Sequence, residues 1–154
     1  AARFSSRTKA RKQALDLLFQ ADLCSLDLAE LLVSERRDAD PPLREYAITL
    51  VEGIIEQGER VDAALHRALD AGWSLDRMAR VDRCLARIAS LEIIDQLVPA
   101  RVAITEALVL AGELSTDESP AFLNGVLSAI ADHKPLQLDE VTRTHDEELA
   151  ADSQ

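Results

Sequence analysis

The strongest candidate for a functional site is a cluster of cationic side chains near the beginning of the chain, which could bind phosphate groups. Residues 1–15 hold five basic side chains and no acidic one: Arg3, Arg7, Lys9, Arg11 and Lys12. Cations at this density neutralise the phosphates of a nucleic acid and release its counterions. On a helical wheel Phe19 projects about 150° away from the predicted apolar face and close to Lys12. A ring beside cations is typical of a surface that stacks single-stranded bases.

A second interpretation of the same residues stays open. In it, Phe19 packs beneath a short second helix and the basic side chains are simply solvated. The residue types alone do not decide between a stacking ring and a packed one.

A polar loop at residues 115–120, which reads STDESP, is the second candidate site. It leads into a helix whose free N-terminal amides favour a phosphate or a polar base edge. Asp117 and Glu118 would repel phosphate, so contact with a base edge is the better functional interpretation. Without further information, ordinary capping of the helix by Ser119 explains the loop and is preferred.

The histidines give no support to an enzymatic interpretation. His66, His133 and His145 have no helical partner at metal-ligand spacing, and the sequence contains no zinc-protease motif, glycine-rich phosphate loop or nucleophile elbow. We therefore predict no catalytic activity, no metal and no cofactor.

Two other groups that could do chemistry have simpler structural explanations. Cys24 and Cys84 lie far apart in sequence, so we expect reduced core thiols of a cytoplasmic protein rather than a disulfide framework. Glu92 extends an apolar stripe, where burial would raise its pKa and could mark a catalytic acid. Pairing with a neighbouring arginine is the more frequent outcome, and we expect that here.

The distribution of charge separates a basic arm from an acidic body. The 154 residues carry a formal net charge of −11. Residues 1–15 contribute +5, residues 16–135 contribute −11 and residues 136–154 contribute −5. Such asymmetry is typical of a basic arm on an acidic body, which predicts weak binding of nucleic acid by the protein alone. We expect one helical domain over residues 1–134 and an acidic, disordered tail over residues 135–154.

Apolar residues recur at helical spacing along nearly the whole chain, and no segment alternates with period two for long. The pattern predicts an all-α helical bundle of about seven helices, joined by short connections. Proline starts are predicted after Pro99 and at Ser119–Pro120. No apolar run approaches the ~20 residues that a membrane span needs.

Four stretches, taken in order, resemble the NusB family of bacterial transcription antitermination factors. They are ARKQALDLLFQ, WSLDRMARVDRCLARIASLE, VPARVAITEALVLAGELS and STDESPAFLNGVL, and they cover most of residues 7–131. The resemblance implies two packed three-helix sub-bundles without catalytic activity. It also implies binding of boxA-type single-stranded RNA in nascent ribosomal RNA transcripts, together with NusE, a small-subunit ribosomal protein. The pair would join other Nus factors and RNA polymerase and suppress termination in the cytoplasm.

The resemblance also suggests which residues make these contacts. The RNA-binding positions it implies are Arg7, Lys9, Arg11, Lys12, Phe19, Glu118, Ser119 and Phe122. Asp82 is the candidate for partner binding. The sequence departs from the family pattern at Gly112, often a lysine, at Glu118, commonly an aspartate, and at Leu114, often an aromatic residue. A homodimer stays open, as does a helical protein–protein adaptor that does not touch RNA.

Overall fold

The chain folds as a bundle of helices, seen here in a computed structural model that describes residues 5–132 and 135–153. Within these residues there are seven α-helices and no strand: α1 (Ser6–Cys24), α2 (Leu28–Asp38), α3 (Glu45–Ala68), α4 (Arg80–Ile94), α5 (Ala100–Leu114), α6 (Ser119–Ala131) and α7 (Leu138–Asp152). A single 3₁₀ turn, Leu75–Arg77, precedes α4. No helix in these ranges is both long and apolar enough to cross a bilayer.

The first six helices form two three-helix groups, as predicted. Helices α1 to α3 pack on one another, α4 to α6 pack on one another, and α4 lies against both α1 and α3. The shared core is almost entirely Leu, Ile, Val and Ala. This confirms the all-α class and the two sub-bundles.

The local signals in the sequence set most helix starts. Ser5 caps α1, because its hydroxyl accepts a hydrogen bond from the backbone N–H of Thr8 at 3.0 Å. Pro99 directly precedes α5, and Pro120 lies in the first turn of α6. Two apolar stripes at residues 43–55 and 61–69 belong to one helix, α3, which is irregular at Gln57.

The glycines inside helices differ in how closely they are packed. Gly125 lies in the middle of α6, and a Cβ there would meet no atom within 4 Å. At Gly53 a Cβ would lie 2.6 Å from the Leu91 Cδ2 atom. Helices α3 and α4 therefore pack closely where Gly53 faces Leu91.

The predicted disordered tail is wrong for residues 138–152, which form α7 against α5. Val141 and Thr144 are buried, and the Glu140 carboxylate accepts the Gln137 backbone N–H at 2.7 Å in a capping box. The helical spacing was concealed because two inward-facing positions, His145 and Glu148, are polar. Both are partly buried, and they are held by contacts with Arg11 and Glu106 rather than by apolar packing.

Candidate nucleic-acid interface

The basic arm presents fewer cations to solvent than its composition suggests. Arg7 and Lys9 are exposed on the first turns of α1, and Lys12 is half-buried beside them. Arg3 lies outside the described residues. Within the part of the chain that the structure describes, the cationic surface of α1 is therefore formed by Arg7, Lys9 and Lys12.

Arg11 corrects the expectation of a fourth surface cation, because it is only 1% exposed. Its guanidinium donates to the Glu92 carboxylate from Nε, at 3.1 Å, and from Nη2, at 2.9 Å. Nη1 donates to Glu106 and to Glu148, each at 3.1 Å. Burial alone would lower the pKa of Arg11, but the three carboxylates, Glu92 foremost, raise it. Arg11 is thus an interior cation rather than part of the exposed cationic surface of α1.

Arg11 is the centre of a buried polar hub that joins five helices. The Tyr46 hydroxyl of α3 donates to Glu92 Oε2 at 2.6 Å, and the Thr8 hydroxyl of α1 donates to Glu106 Oε1, also at 2.6 Å. His145 Nδ1 of α7 lies 2.9 Å from Glu106 Oε2. Buried charges are tolerated when every one is paired and hydrogen-bonded, as most of these are. The hub fixes the first turns of α1 against the rest of the molecule.

Glu148 is the member of this hub whose charged form is least well stabilised. Burial raises the pKa of its carboxyl to about 7, with a further contribution from a hydrogen bond with Glu106, while Arg11 opposes the rise. Its Oε2 atom is buried without a hydrogen-bond partner. The attachment of α7 through this side chain therefore depends on protonation near neutral pH.

The exposed Arg7 is positioned by the same hub. Its guanidinium carbon lies 4.6 Å from the centroid of the Tyr46 ring, the geometry of a cation–π contact. Tyr46 is held in turn by its hydrogen bond to Glu92, and burial raises the pKa of its hydroxyl. An arginine fixed in this way has less side-chain freedom to lose when it meets a phosphate.

The loop between α5 and α6 is held together from inside. Asp82 accepts hydrogen bonds from the hydroxyls of Ser115, at 2.6 Å, and Ser119, at 2.9 Å. The backbone N–H of Thr116 donates to the Ser119 hydroxyl at 3.2 Å. Asp82 and Ser119 are both buried, so the structure corrects two expectations: neither side chain presents itself to RNA or to a partner. Glu118 is exposed beside them.

Phe122, on the first turns of α6, is half-buried and meets Trp73 from the turn before α4. The two ring centroids are 6.0 Å apart at an interplanar angle of 66°, an edge-to-face contact. The guanidinium carbon of Arg77 lies 5.2 Å from the centroid of the Trp73 ring. Two aromatic rings and a cation therefore meet at this end of the bundle.

Phe19 combines features of both interpretations that the sequence left open. Its ring is half-buried and packs against the core, and the guanidinium carbon of Arg80 lies 6.0 Å from its centroid. A contact between Phe19 and RNA stays a prediction.

The two candidate regions lie at opposite ends of α4. Glu92 anchors the basic arm, whereas Asp82 anchors the loop that leads to Phe122. Ten residues of helix separate these anchors, a rise of about 15 Å. An RNA strand that contacts both regions has to follow the surface between them.

The other groups singled out in the sequence have structural roles. Cys84 is fully buried, and burial raises the pKa of its thiol to about 11, as expected for a core thiol. Cys24 is exposed, so the expectation of a second core thiol is wrong. The predicted pairing of Glu92 with an arginine is confirmed. The described residues contain no group of His, Cys, Asp and Glu side chains arranged to hold a metal ion.

Sequence reasoning missed two partners that complete these regions. Tyr46 lies at helical spacing among apolar residues, which indicates a core position, and Trp73 lies in one of the stretches that resemble the family. A signal for the buried cation was present, since Arg11 lies three, four and seven residues before buried positions of α1. A basic residue on the apolar stripe of one helix and an acidic residue on that of another, such as Arg11 and Glu92, together indicate a buried ion pair.

Comparison with known proteins places this arrangement in a family. The NusB family model matches residues 8–132. Transcription antitermination protein NusB of Kineococcus radiotolerans is 47% identical over 131 residues, covering 84% of this chain and 96% of that protein. The structure of T. maritima NusB has a TM-score of 0.72 at 28% identity, over 93% of this chain and 98% of that one.

A further solved structure is described as antitermination factors NusB and NusE in complex with dsRNA. One of its chains has a TM-score of 0.71 at 26% identity, covering 82% of this chain and 96% of its own length. The family model spans most of the chain, and fold and sequence agree over nearly the whole length of the relatives. This chain therefore belongs to the NusB family of transcription antitermination proteins.

Proposed function

We propose that this protein is a non-enzymatic adaptor that binds boxA-type single-stranded RNA of nascent ribosomal transcripts jointly with NusE. In this role it helps RNA polymerase, with other Nus factors, to resist termination in the cytoplasm. The observation that carries the proposal is the exposed cationic surface of α1 on an otherwise acidic molecule. The similarity to a chain from a structure of NusB and NusE with dsRNA supports it.

The charge distribution supports joint rather than independent binding. A net charge of −11 repels a polyanion at long range, and the basic side chains on the first turns of α1 oppose this repulsion locally. Each phosphate contact made there gains affinity from the release of counterions, but two or three contacts give a weak complex. A basic partner on the adjacent surface would supply the remaining attraction.

The proposed contacts differ from those that the sequence suggested. Arg7, Lys9 and Lys12 would meet phosphates, and the half-buried ring of Phe122 would meet a base. Arg11 and Ser119 are left out because both side chains are engaged inside the protein.

Salt dependence of RNA binding tests the proposal. A fluorescein-labelled boxA-type RNA is titrated with the protein, with and without NusE, at several salt concentrations. For Arg7→Ala and Lys9→Ala we expect weaker binding, and a log Kd–log salt slope reduced by roughly 0.7 for each phosphate that is no longer neutralised. NusE should increase the affinity of both the wild type and the variants.

Arg36→Ala is the matched control, because Arg36 is equally cationic and exposed but lies on α2, paired with Glu52 at 3.1 Å. Its salt slope should equal that of the wild type. Binding of NusE without any binding of RNA would contradict the proposal and favour the protein–protein adaptor. Point variants are better here than deletion of residues 1–12, because the deletion would also remove the buried Arg11.

A further inference from the structure

Trp73 is the only tryptophan of the chain, and it is 42% exposed in the turn between α3 and α4. Its ring is held from two directions. Arg77 lies over it, with Nη1 fixed by a hydrogen bond of 2.6 Å to the carbonyl oxygen of Gly72, and Phe122 meets it edge-to-face. A large aromatic surface is thus kept in a defined orientation at the protein–water boundary.

The ring borders an open groove between this turn and α6. The groove has a volume of about 660 Å³, and its lining includes Leu69, Trp73, Phe122, Val126 and Ala129. These residues make the lining mainly apolar, with one carboxylate, Asp70, while the guanidinium of Arg77 lies over the Trp73 ring.

This combination of groups favours a nucleobase over an aliphatic side chain. Flat aromatic surfaces and arginine guanidinium planes are the groups on which unpaired RNA bases stack. An aliphatic peptide would gain from the apolar part of the groove but would not stack on the flat ring or make use of the guanidinium beside it. A nucleotide uses both the ring and the cation, because its base stacks on Trp73 and its phosphate can approach Arg77.

We infer that Trp73 and Arg77 form a base-stacking subsite that continues the RNA path from Phe122 beyond the α6 end of the bundle. This rests on the proposed function, since it extends the same RNA-binding surface. The edge-to-face contact with Phe122 joins the two positions, so a strand that places one base at Phe122 brings its neighbour to Trp73. The subsite adds affinity mainly through stacking, which depends little on salt.

Because Trp73 is the sole tryptophan, its own fluorescence reports on the subsite. The full chain is titrated with an unlabelled boxA-type single-stranded RNA in the presence of NusE that has its own tryptophans, if any, replaced by phenylalanine. In parallel, anisotropy of the labelled RNA gives the Kd. We expect tryptophan quenching that saturates at this Kd. Trp73→Ala should weaken binding about 5- to 100-fold with an unchanged salt slope, and Trp73→Phe should retain most of the affinity.

Val33→Ala is the matched control, because Val33 is an exposed apolar side chain, 66% accessible, on the distant α2. Its affinity for RNA should equal that of the wild type, and thermal unfolding followed by circular dichroism verifies that each variant is folded. RNA binding with unchanged fluorescence and wild-type affinity of Trp73→Ala would overturn the subsite and leave the proposed function intact. Quenching by NusE alone, without further change on addition of RNA, would reassign the groove to a protein partner. Absence of RNA binding by the wild type with NusE would overturn both proposals.

Discussion

The guanidinium of Arg11 on α1 lies 2.9 Å from the carboxylate of Glu92 on α4, and both side chains are withdrawn from water. The basic arm therefore has two kinds of cation. Arg7 and Lys9 face solvent, whereas Arg11 turns inward and ties the arm to the second sub-bundle. The buried Arg11 thus fixes the position of the exposed Arg7 and Lys9 on the same helix.

Replacing Arg11 by alanine should therefore act on stability before it acts on RNA binding. The variant leaves Glu92 and Glu106 buried without their cation, and breaking such a pair costs about 3–5 kcal/mol. Urea unfolding at pH 7 measures the loss. Arg11→Lys should recover part of it, because an ammonium restores the charge but not the forked hydrogen bonds to Glu92.

Arg7→Ala is the control for this experiment, since Arg7 is an exposed arginine one helical turn earlier on α1. Its loss should cost no more than about 1 kcal/mol, the value of an exposed cation–π contact. Equal destabilisation by the two substitutions would show that Arg11 is not the centre of the hub.

Glu148 should make the stability of the protein depend on pH. Burial raises the pKa of this carboxyl from 4.5 to about 7 in the folded state. Between these values the folded chain binds more protons than the unfolded chain, so the free energy of unfolding decreases as pH rises from about 4.5 to 7. The carboxyl faces Arg11 of α1 and Glu106 of α5, and His145 of its own helix contacts the same Glu106. The change amounts to at most about 3 kcal/mol.

Glu148→Gln isolates this contribution, because the amide keeps the shape of the side chain but does not titrate. Urea unfolding of both proteins at pH 5, 6, 7 and 8 gives the difference, in which the effects of the histidines cancel. The wild type should lose stability relative to the variant across this range. A constant difference would mean that Glu148 is ionised throughout.

The helices could be predicted from the sequence because their signals are local. The stripe of Ala10, Ala14, Leu17 and Leu18 is buried as its spacing indicates, and the proline starts of α5 and α6 lie where expected. Helix α7 was missed because His145 and Glu148 occupy its inward face, and their burial depends on Arg11 and Glu106 of other helices. A partner that is distant in sequence leaves no periodic apolar signal.

The candidate site was harder to predict because exposure is a tertiary property. Composition indicates a cationic arm but does not distinguish the exposed Arg7 from the buried Arg11, although both guanidiniums lie near the Tyr46 ring. Ser119 begins α6, but the expectation that it caps the helix is wrong: no side chain among the described residues caps α6, and the Ser119 hydroxyl donates to Asp82 of α4. In both cases the decisive neighbour lies on another helix.

The crossing of α3 and α4 provides a test of packing. A Cβ on Gly53 would lie 2.6 Å from Leu91 Cδ2, and Leu91 is fully buried, so its side chain has little room to move. Gly53→Ala should destabilise the protein by about 1–3 kcal/mol, as overpacked cores do. Gly125→Ala in α6 meets no atom within 4 Å and should instead stabilise by up to about 1 kcal/mol. Thermal unfolding separates the two, and stabilisation by both would contradict the close crossing.

The end of α7 places a carboxylate at the beginning of the basic arm. Asp152 accepts hydrogen bonds from the backbone N–H of Ser6 and, at 3.0 Å, from its hydroxyl, so a carboxylate stands at the positive end of α1 next to Arg7. If the arm binds RNA as proposed, this carboxylate competes with phosphate. Asp152→Ala should therefore strengthen RNA binding about two- to fivefold, in keeping with the value of a charge at a helix terminus.

Asp139→Ala removes the same charge from the same helix, but about 20 Å away at its other end. Anisotropy titrations of the two variants at one salt concentration distinguish local competition from a general reduction of negative charge. Local competition predicts a gain for Asp152→Ala alone, whereas equal gains would assign the effect to net charge. If neither variant binds RNA more tightly, the Asp152 carboxylate does not compete with phosphate. In that case the Ser6–Asp152 contact serves only to anchor α7.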